Sequence, residues 1–232
     1  MAKGNAEGSS RSSLELSSQQ RDVLVGTLLG DGCLAKHGNY HRLHIKHRLA
    51  QAELAEFKYD VFRDLITMAP HVFGQRLNGR EYPCMQFATR THPVFSQWHA
   101  RFYIERVKAV PRDISELLAP LSVAVWVMDD GAADYAGMTL QTHSFALEGV
   151  RLLRSALGER FGLETGERSN KGKTVIYVPA AGMSRLRGLV EPLVLPSLQY
   201  KLQPRRERNP VETTRWPPTT HGRGDDMVRP HW

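Results

Sequence analysis

Hydrophobic and polar positions in this chain sort into stretches of helical period and stretches that alternate, and the order of the two kinds repeats. Apolar residues three and four apart predict helices over 18–31, 50–66 and 93–106, with alternating hairpins at about 32–48 and 72–90 between them. After a short helix at 113–118 the same order returns: helix 120–130, hairpin 132–144, helix 147–161, hairpin 163–179 and helix 181–190. Ser17 and Gln20 fit a capping box for the first helix, and Pro120 suits the first turn of the helix it opens. A duplication of this size predicts two similar subdomains related by a pseudo-two-fold axis. The small polar residues of 1–16 and the Pro-, Arg- and Thr-rich stretch 205–232 predict disordered tails, which leaves subdomains at 17–111 and 112–204.

The helices that open the two halves end alike. LVGTLLGDG at 24–32 and VAVWVMDDG at 123–131 are uncharged for about two turns and then place an acid, Asp31 or Asp130, before a glycine. The C-terminus of a helix is electronegative, so a carboxylate there is unfavourable by itself. One such ending reads as a turn after a core helix; two in register predict a positive group between them, most simply a divalent metal ion. Each acid is followed, at the end of its own repeat, by Lys-x-x-Pro: Lys108 to Pro111 and Lys201 to Pro204. Gly26 and Gly30, four apart, would let a second backbone approach the first helix closely. The second helix carries Val125 and Asp129 at the matching points, so its share of close packing is expected from Ala124.

Charge adds a partner. Lys and Arg total 31 against 24 Asp and Glu, the net charge is +7 and the pI is near 9.6, which makes nucleic acid a reasonable ligand. Cys33 and Cys84 lack metal spacing and are expected as reduced thiols. No apolar run approaches the roughly 20 residues that cross a bilayer, and the first residues have no apolar signal core, so a soluble intracellular protein is expected.

The predicted strands supply a candidate binding surface. In residues 40–48, Arg42, His44, Lys46 and Arg48 share one face while Leu43 and Ile45 point to the other. A solvated charged face is the plain alternative, but cationic and imidazole donors in a row without an acid suit phosphates and base edges. The next hairpin offers Arg76, Asn78 and Arg80 on its first arm and Gln86 and Arg90 on its second. In the second half Gln141 and His143 alternate with Leu140 and Thr142, and Arg168, Asn170, Lys171 and Lys173 crowd the last hairpin. Histidines 37, 41, 44 and 47 invite zinc, but a strand pattern splits them between faces. A Ser-His-Asp hydrolase lacks its strand-Ser-helix elbow.

Taken together, LVGTLLGDG, LAPLSVAVWVMDDG, TLQTHSF and PSLQYKLQP resemble the LAGLIDADG homing endonucleases, in their single-chain, two-motif branch, over about residues 18–204. The resemblance implies an α+β fold of two αββαββα subdomains related by a pseudo-two-fold, with saddle-shaped antiparallel sheets lying on DNA. It implies a monomer that hydrolyses one phosphodiester per strand across the minor groove of a long, mostly asymmetric double-stranded site. By the same resemblance Asp31 and Asp130 are catalytic and metal-binding, with Gly30 and Asp129 beside them, and Lys108 and Lys201 are the basic catalytic residues. The implied cofactor is Mg²⁺, two or three ions, replaceable by Mn²⁺. The alternatives are an RNA maturase that binds its intron RNA and a cleavage-inactive DNA-binding protein of the same fold; no membrane partner is expected.

Overall fold

The computed structural model describes residues 14–204, so the expectations for 1–13 and 205–232 lie outside the described residues. Its elements come in two matching series. The first is α1 (Ser18–Leu29), β1 (Cys33–His37), β2 (Tyr40–Arg48), α2 (Ala52–Val61), β3 (His71–Leu77), β4 (Arg80–Ala88) and α3 (Pro93–Phe102). A short hairpin, β5 (Tyr103–Ile104) with β6 (Val107–Lys108), and one turn of helix, α4 (Ile114–Leu117), lead on. The second series is α5 (Pro120–Asp130), β7 (Gly131–Asp134), β8 (Gly137–Leu140), α6 (Leu147–Phe161), β9 (Gly166–Asn170), β10 (Lys173–Val178) and α7 (Ala180–Val190).

Each series folds its strands into one antiparallel sheet with the same spatial order, β1-β2-β4-β3 in the first half and β7-β8-β10-β9 in the second. This is the α+β, pseudo-symmetric architecture the repeat predicts. The Ser17 hydroxyl accepts from Gln20 N and the Gln20 side chain accepts from Ser17 N, both at 3.1 Å, so the capping box forms. The Gln20 amide also donates to Val61 O and Asp64 Oδ1, at 3.0 and 2.9 Å, tying the start of α1 to the end of α2.

Three helices differ from expectation at their ends. The first helix stops at Leu29 with Gly30 as its cap, so Asp31 stands just past the end. The helix expected over 50–66 is regular only over Ala52–Val61, with single tight turns at Leu49–Gln51 and Arg63–Leu65. The helix expected to reach 106 ends at Phe102, because Tyr103 turns extended (φ −137°, ψ 135°) and Ile104 pairs with Val107, two β-branched residues that favour a strand.

Both α1 and α5 are buried nearly all round, from Val23 to Leu29 and from Ser122 to Asp129, the signature of helices at the centre of a core. Leu24, Leu28 and Trp126 are fully buried there, and each such side chain contributes about 1.5–3 kcal/mol relative to exposure. Strand alternation then divides each sheet. Leu43, Ile45 and Phe87 in one, and Met138, Leu140, Ile176 and Val178 in the other, face the core, and the alternate residues point to the opposite faces.

Candidate catalytic cleft and nucleic-acid face

The site begins with two missing side chains. A Cβ on Gly26 would lie 2.4 Å from Ser122 O and 2.7 Å from Val125 Cβ, and one on Gly30 would lie 2.5 Å from both Cβ and Oδ2 of Asp129. Glycine at these points lets α5 pack directly on the backbone of α1. The sequence reading named the glycines and assigned the opposing share to Ala124; Val125, Ser122 and Asp129 fill that role instead.

Close packing brings the two helix C-termini, and with them Asp31 and Asp130, to one cleft. About 420 Å³ in volume, it is lined by both aspartates with Lys108, Arg106, Tyr103, Gln141 and His143. Asp31 also lines a second cleft of about 470 Å³, over the first sheet, with His44, Lys46, His47, Arg48 and Gln75. Among the described residues neither carboxylate accepts a hydrogen bond or forms an ion pair. Loss of water raises the pKa of Asp31, with the charge of Asp129 adding to it. The same loss of water, followed by repulsion from Asp31 and Asp129, pushes Asp130 up to about 7. Two carboxylates without donors, at two electronegative helix ends, form a donor set suited to a hard divalent cation.

The lysines of the repeated Lys-x-x-Pro bond to backbone. Lys108 Nζ donates to Gly30 O (2.8 Å) and Gly32 O (2.9 Å). Lys201 Nζ donates to Met128 O, to Asp129 O at 3.1 Å and to Val127 O at 3.5 Å. Each therefore neutralises the end of its own half's motif helix. Burial holds both lysine pKa values below normal, and the surrounding aspartates oppose that shift.

The carbonyls of Gly30 and Asp129 each accept a lysine proton and keep a second lone pair. The Asp129 carboxylate is turned away into a closed ion pair, each oxygen 2.7 Å from Lys58 Nζ, with both side chains fully buried. His47 completes the cluster, its Nε2 3.2 Å from Lys58 Nζ and 3.7 Å from Asp129 Oδ1. Burial, and then the Lys58 charge, push His47 down to about 3, so the ring is neutral and its Nε2 accepts from Lys58. The sequence reading missed Lys58, although it falls on the apolar stripe of α2 with Leu54, Ala55 and Phe62, where an unpaired lysine would be untenable.

The register of the sheets sorts the expected binding residues. His44, Lys46 and Arg48 lie opposite Ala88, Gln86 and Cys84, so these side chains share the open face of the first sheet with Arg42 and Arg80. Gln86 Nε2 contacts His71 Nε2 at 2.8 Å, and the Arg48 guanidinium lies 4.5 Å from the Tyr82 ring centre. Arg76 pairs in register with Glu81 and so sits on the other face, Asn78 is in the turn, and Arg80 opens the second arm rather than closing the first. Arg90 lies past β4, its N–H bonded to Leu65 O, where strand alternation assigns no face.

In the second sheet Arg168, Asn170 and Lys173 share the open face with Tyr177, while Lys171 is in the turn. Gln141 and His143 follow β8 and are held by Asn170, through its side-chain amide and its carbonyl. Arg168 is bonded to Asp134 and stacked on Tyr177, 3.2 Å from the ring centre.

A sequence profile described as the LAGLIDADG DNA endonuclease family matches residues 21–186. The chain belongs to that family. It is similar to the solved homing endonuclease I-WcaI, bound there to its DNA recognition sequence, with a TM-score of 0.77, 26% identity, and coverage of 83% of this chain and 89% of that one. The cytochrome b mRNA maturase bI2 of Debaryomyces hansenii is 27% identical over 81% of this chain and 74% of its own length. A probable intron-encoded endonuclease of Wickerhamomyces canadensis is 26% identical over 81% and 85%. The LAGLIDADG chain spans about half the length of other curated relatives that it matches. Among its described residues no helix is long and apolar enough to cross a membrane.

Proposed function

We propose that this LAGLIDADG protein is a site-specific endonuclease, acting as a monomer, that cuts both strands of duplex DNA across the minor groove. The observation that carries the reading is the pair Asp31 and Asp130, brought into one cleft at two helix ends and left without a donor among the described residues. Mg²⁺ or Mn²⁺ held by these carboxylates would polarise the scissile phosphates and acidify the attacking water. Lys108 and Lys201 cancel the negative helix ends that would otherwise repel phosphate. In each strand a water oxygen bonds to phosphorus, the bond from phosphorus to the leaving sugar oxygen breaks, and the water's proton is lost as the leaving oxygen gains one.

Recognition falls to the open sheet faces, with Arg42, His44, Lys46, Arg48, Arg80 and Gln86 on one and Arg168, Asn170 and Lys173 on the other, where Gln141 joins them through its bond to Asn170. Their side chains differ, which suits a long, asymmetric target. The similarity to I-WcaI and its DNA-bound state supports this use of the faces.

A second reading, an intron RNA maturase, draws support from the similarity to bI2. The two separate in one experiment. A plasmid library with a randomised insert is digested in Mg²⁺ by wild type, Asp31→Asn and Asp130→Asn, and binding to intron RNA is measured alongside. Site-specific linearisation by wild type and its loss in both variants is the expected result. RNA binding without cutting, unaffected by either substitution, would favour the maturase.

A further inference from the structure

Three hairpins of this chain turn with the same pair of positive φ angles. Asn78 and Gly79 have 51° and 74°, Lys171 and Gly172 have 51° and 74°, and Glu105 and Arg106 have 47° and 76°. Glycine meets the second position at no steric cost in the first two, whereas the third holds a long cation in a conformation that side chains resist. Arg106 is exposed and lines the cleft that contains Asp31, Asp130 and Lys108. Among the described residues its guanidinium has no acid or carbonyl partner, whereas Arg101, Arg151, Arg154 and Arg168 are each paired with an acid. Among the described residues the second half lines this cleft with no arginine, and its Lys201 comes from a tight helical stretch, Pro196–Leu202, rather than from a hairpin.

We propose that Arg106 is a catalytic residue for one DNA strand only, its guanidinium gripping the non-bridging oxygens of one scissile phosphate. The proposal rests on the endonuclease reading above. As the water oxygen bonds to phosphorus and the bond to the leaving sugar oxygen lengthens, charge gathers on those non-bridging oxygens. A planar fork of N–H donors meets that charge bidentately, which the lysines, already bonded to backbone carbonyls, do not. With one such fork in a two-strand site, the strands are cut at unequal rates.

Arg106→Gly tests this without a folding penalty, since glycine relieves the positive φ while removing the charge; Arg106→Lys tests the fork. Binding of a non-specific duplex in EDTA is followed across salt, and a cleavable site from the library is labelled on each strand in turn and cut in Mg²⁺. Arg106→Gly is expected to lower the slope of log affinity against log salt by about one, the loss of a single phosphate contact. It is expected to slow one strand about 10- to 100-fold and the other less than about threefold, so that nicked product accumulates. Arg106→Lys should restore the salt slope but only part of the rate. An unchanged slope, or equal slowing of both strands, overturns the proposal. Wild type that binds DNA but cuts neither strand overturns the endonuclease reading instead, and the salt slope then still decides the phosphate contact.

Discussion

The two halves of this molecule share a fold and part company at the motif helices. Where α1 has Gly26 and Gly30, α5 has Val125 and Asp129, and the side chains of the second half occupy the space the first leaves empty. Small residues on one helix are met by larger ones on the other, and in this way two unequal sequences close-pack on one axis. The asymmetry also places a buried charge, Asp129, on one side alone, answered across the axis by Lys58 of the first half. The cleft above is therefore built from non-equivalent walls, which under the proposed endonuclease activity lets the two strands be treated differently.

The largest break in the comparison is expected from Asp129→Ala. It strands the fully buried Lys58 ammonium without its carboxylate, and an uncompensated buried charge costs about 3–5 kcal/mol. Urea unfolding of the metal-free protein measures it. The double change Lys58→Met with Asp129→Leu should recover most of that loss, because an apolar pair of similar volume often matches a buried ion pair. If the single change costs less than about 1 kcal/mol, the pair is not closed to water as the geometry describes.

This pair also marks where the sequence stopped being readable. Asp31 and Asp130 stood out because an acid at the end of an apolar helix contradicts the helix dipole, and the glycines of α1 stood out by spacing. Lys58 broke a local rule too, on an apolar stripe, but its partner lies in the other half and no local pattern names it. The hairpin of Tyr103–Lys108 was hidden for a different reason. Trp98, Phe102 and the apolar residues after them continue a helical rhythm, and the turn that interrupts it carries Glu105 and Arg106 rather than a pair such as Asn78-Gly79, whose glycine suits a positive φ. The arm of Arg76 was readable but not its face, since the face of a strand residue depends on register, which the turn sets and the strand pattern alone does not.

A smaller effect separates the two acids of the cleft. Asp130 titrates near 7 in the folded, metal-free protein and near 3.8 when unfolded. Between those values the folded state binds more protons, so its ionisation penalty is absent below about pH 4, grows as pH rises and is complete above 7. Asp130→Asn should then stabilise the metal-free protein by about 2–4 kcal/mol at pH 8 and by almost nothing at pH 4. Asp31, exposed on its side of the cleft, should gain less from the same change. Thermal melts at the two pH values in EDTA give the comparison. Mg²⁺ should stabilise wild type at pH 8 and leave Asp130→Asn nearly unmoved, since ligand that binds only the folded state adds stability as the logarithm of its concentration over Kd. Equal melts for wild type and Asp130→Asn at pH 8 would mean that water reaches the carboxylate freely.

The finest test compares the lysines, which do the same task in unequal settings. Lys201 is buried and reaches three carbonyls at the end of α5, whereas Lys108 is half-buried and reaches two after α1. Replacing either by Met removes a cation from a helix C-terminus, worth up to about 2 kcal/mol in a partly buried geometry, and leaves carbonyls short of a donor. Lys201→Met should cost about 2 kcal/mol, because water cannot replace the lost donor there, and Lys108→Met about 1, because the open cleft admits water to the carbonyls of Gly30 and Gly32. Chemical denaturation resolves a difference of this size. The reverse order would mean that the exposed half of the cleft depends more on its lysine than on solvent, and that the half bearing Arg106 is the electrostatically tighter of the two.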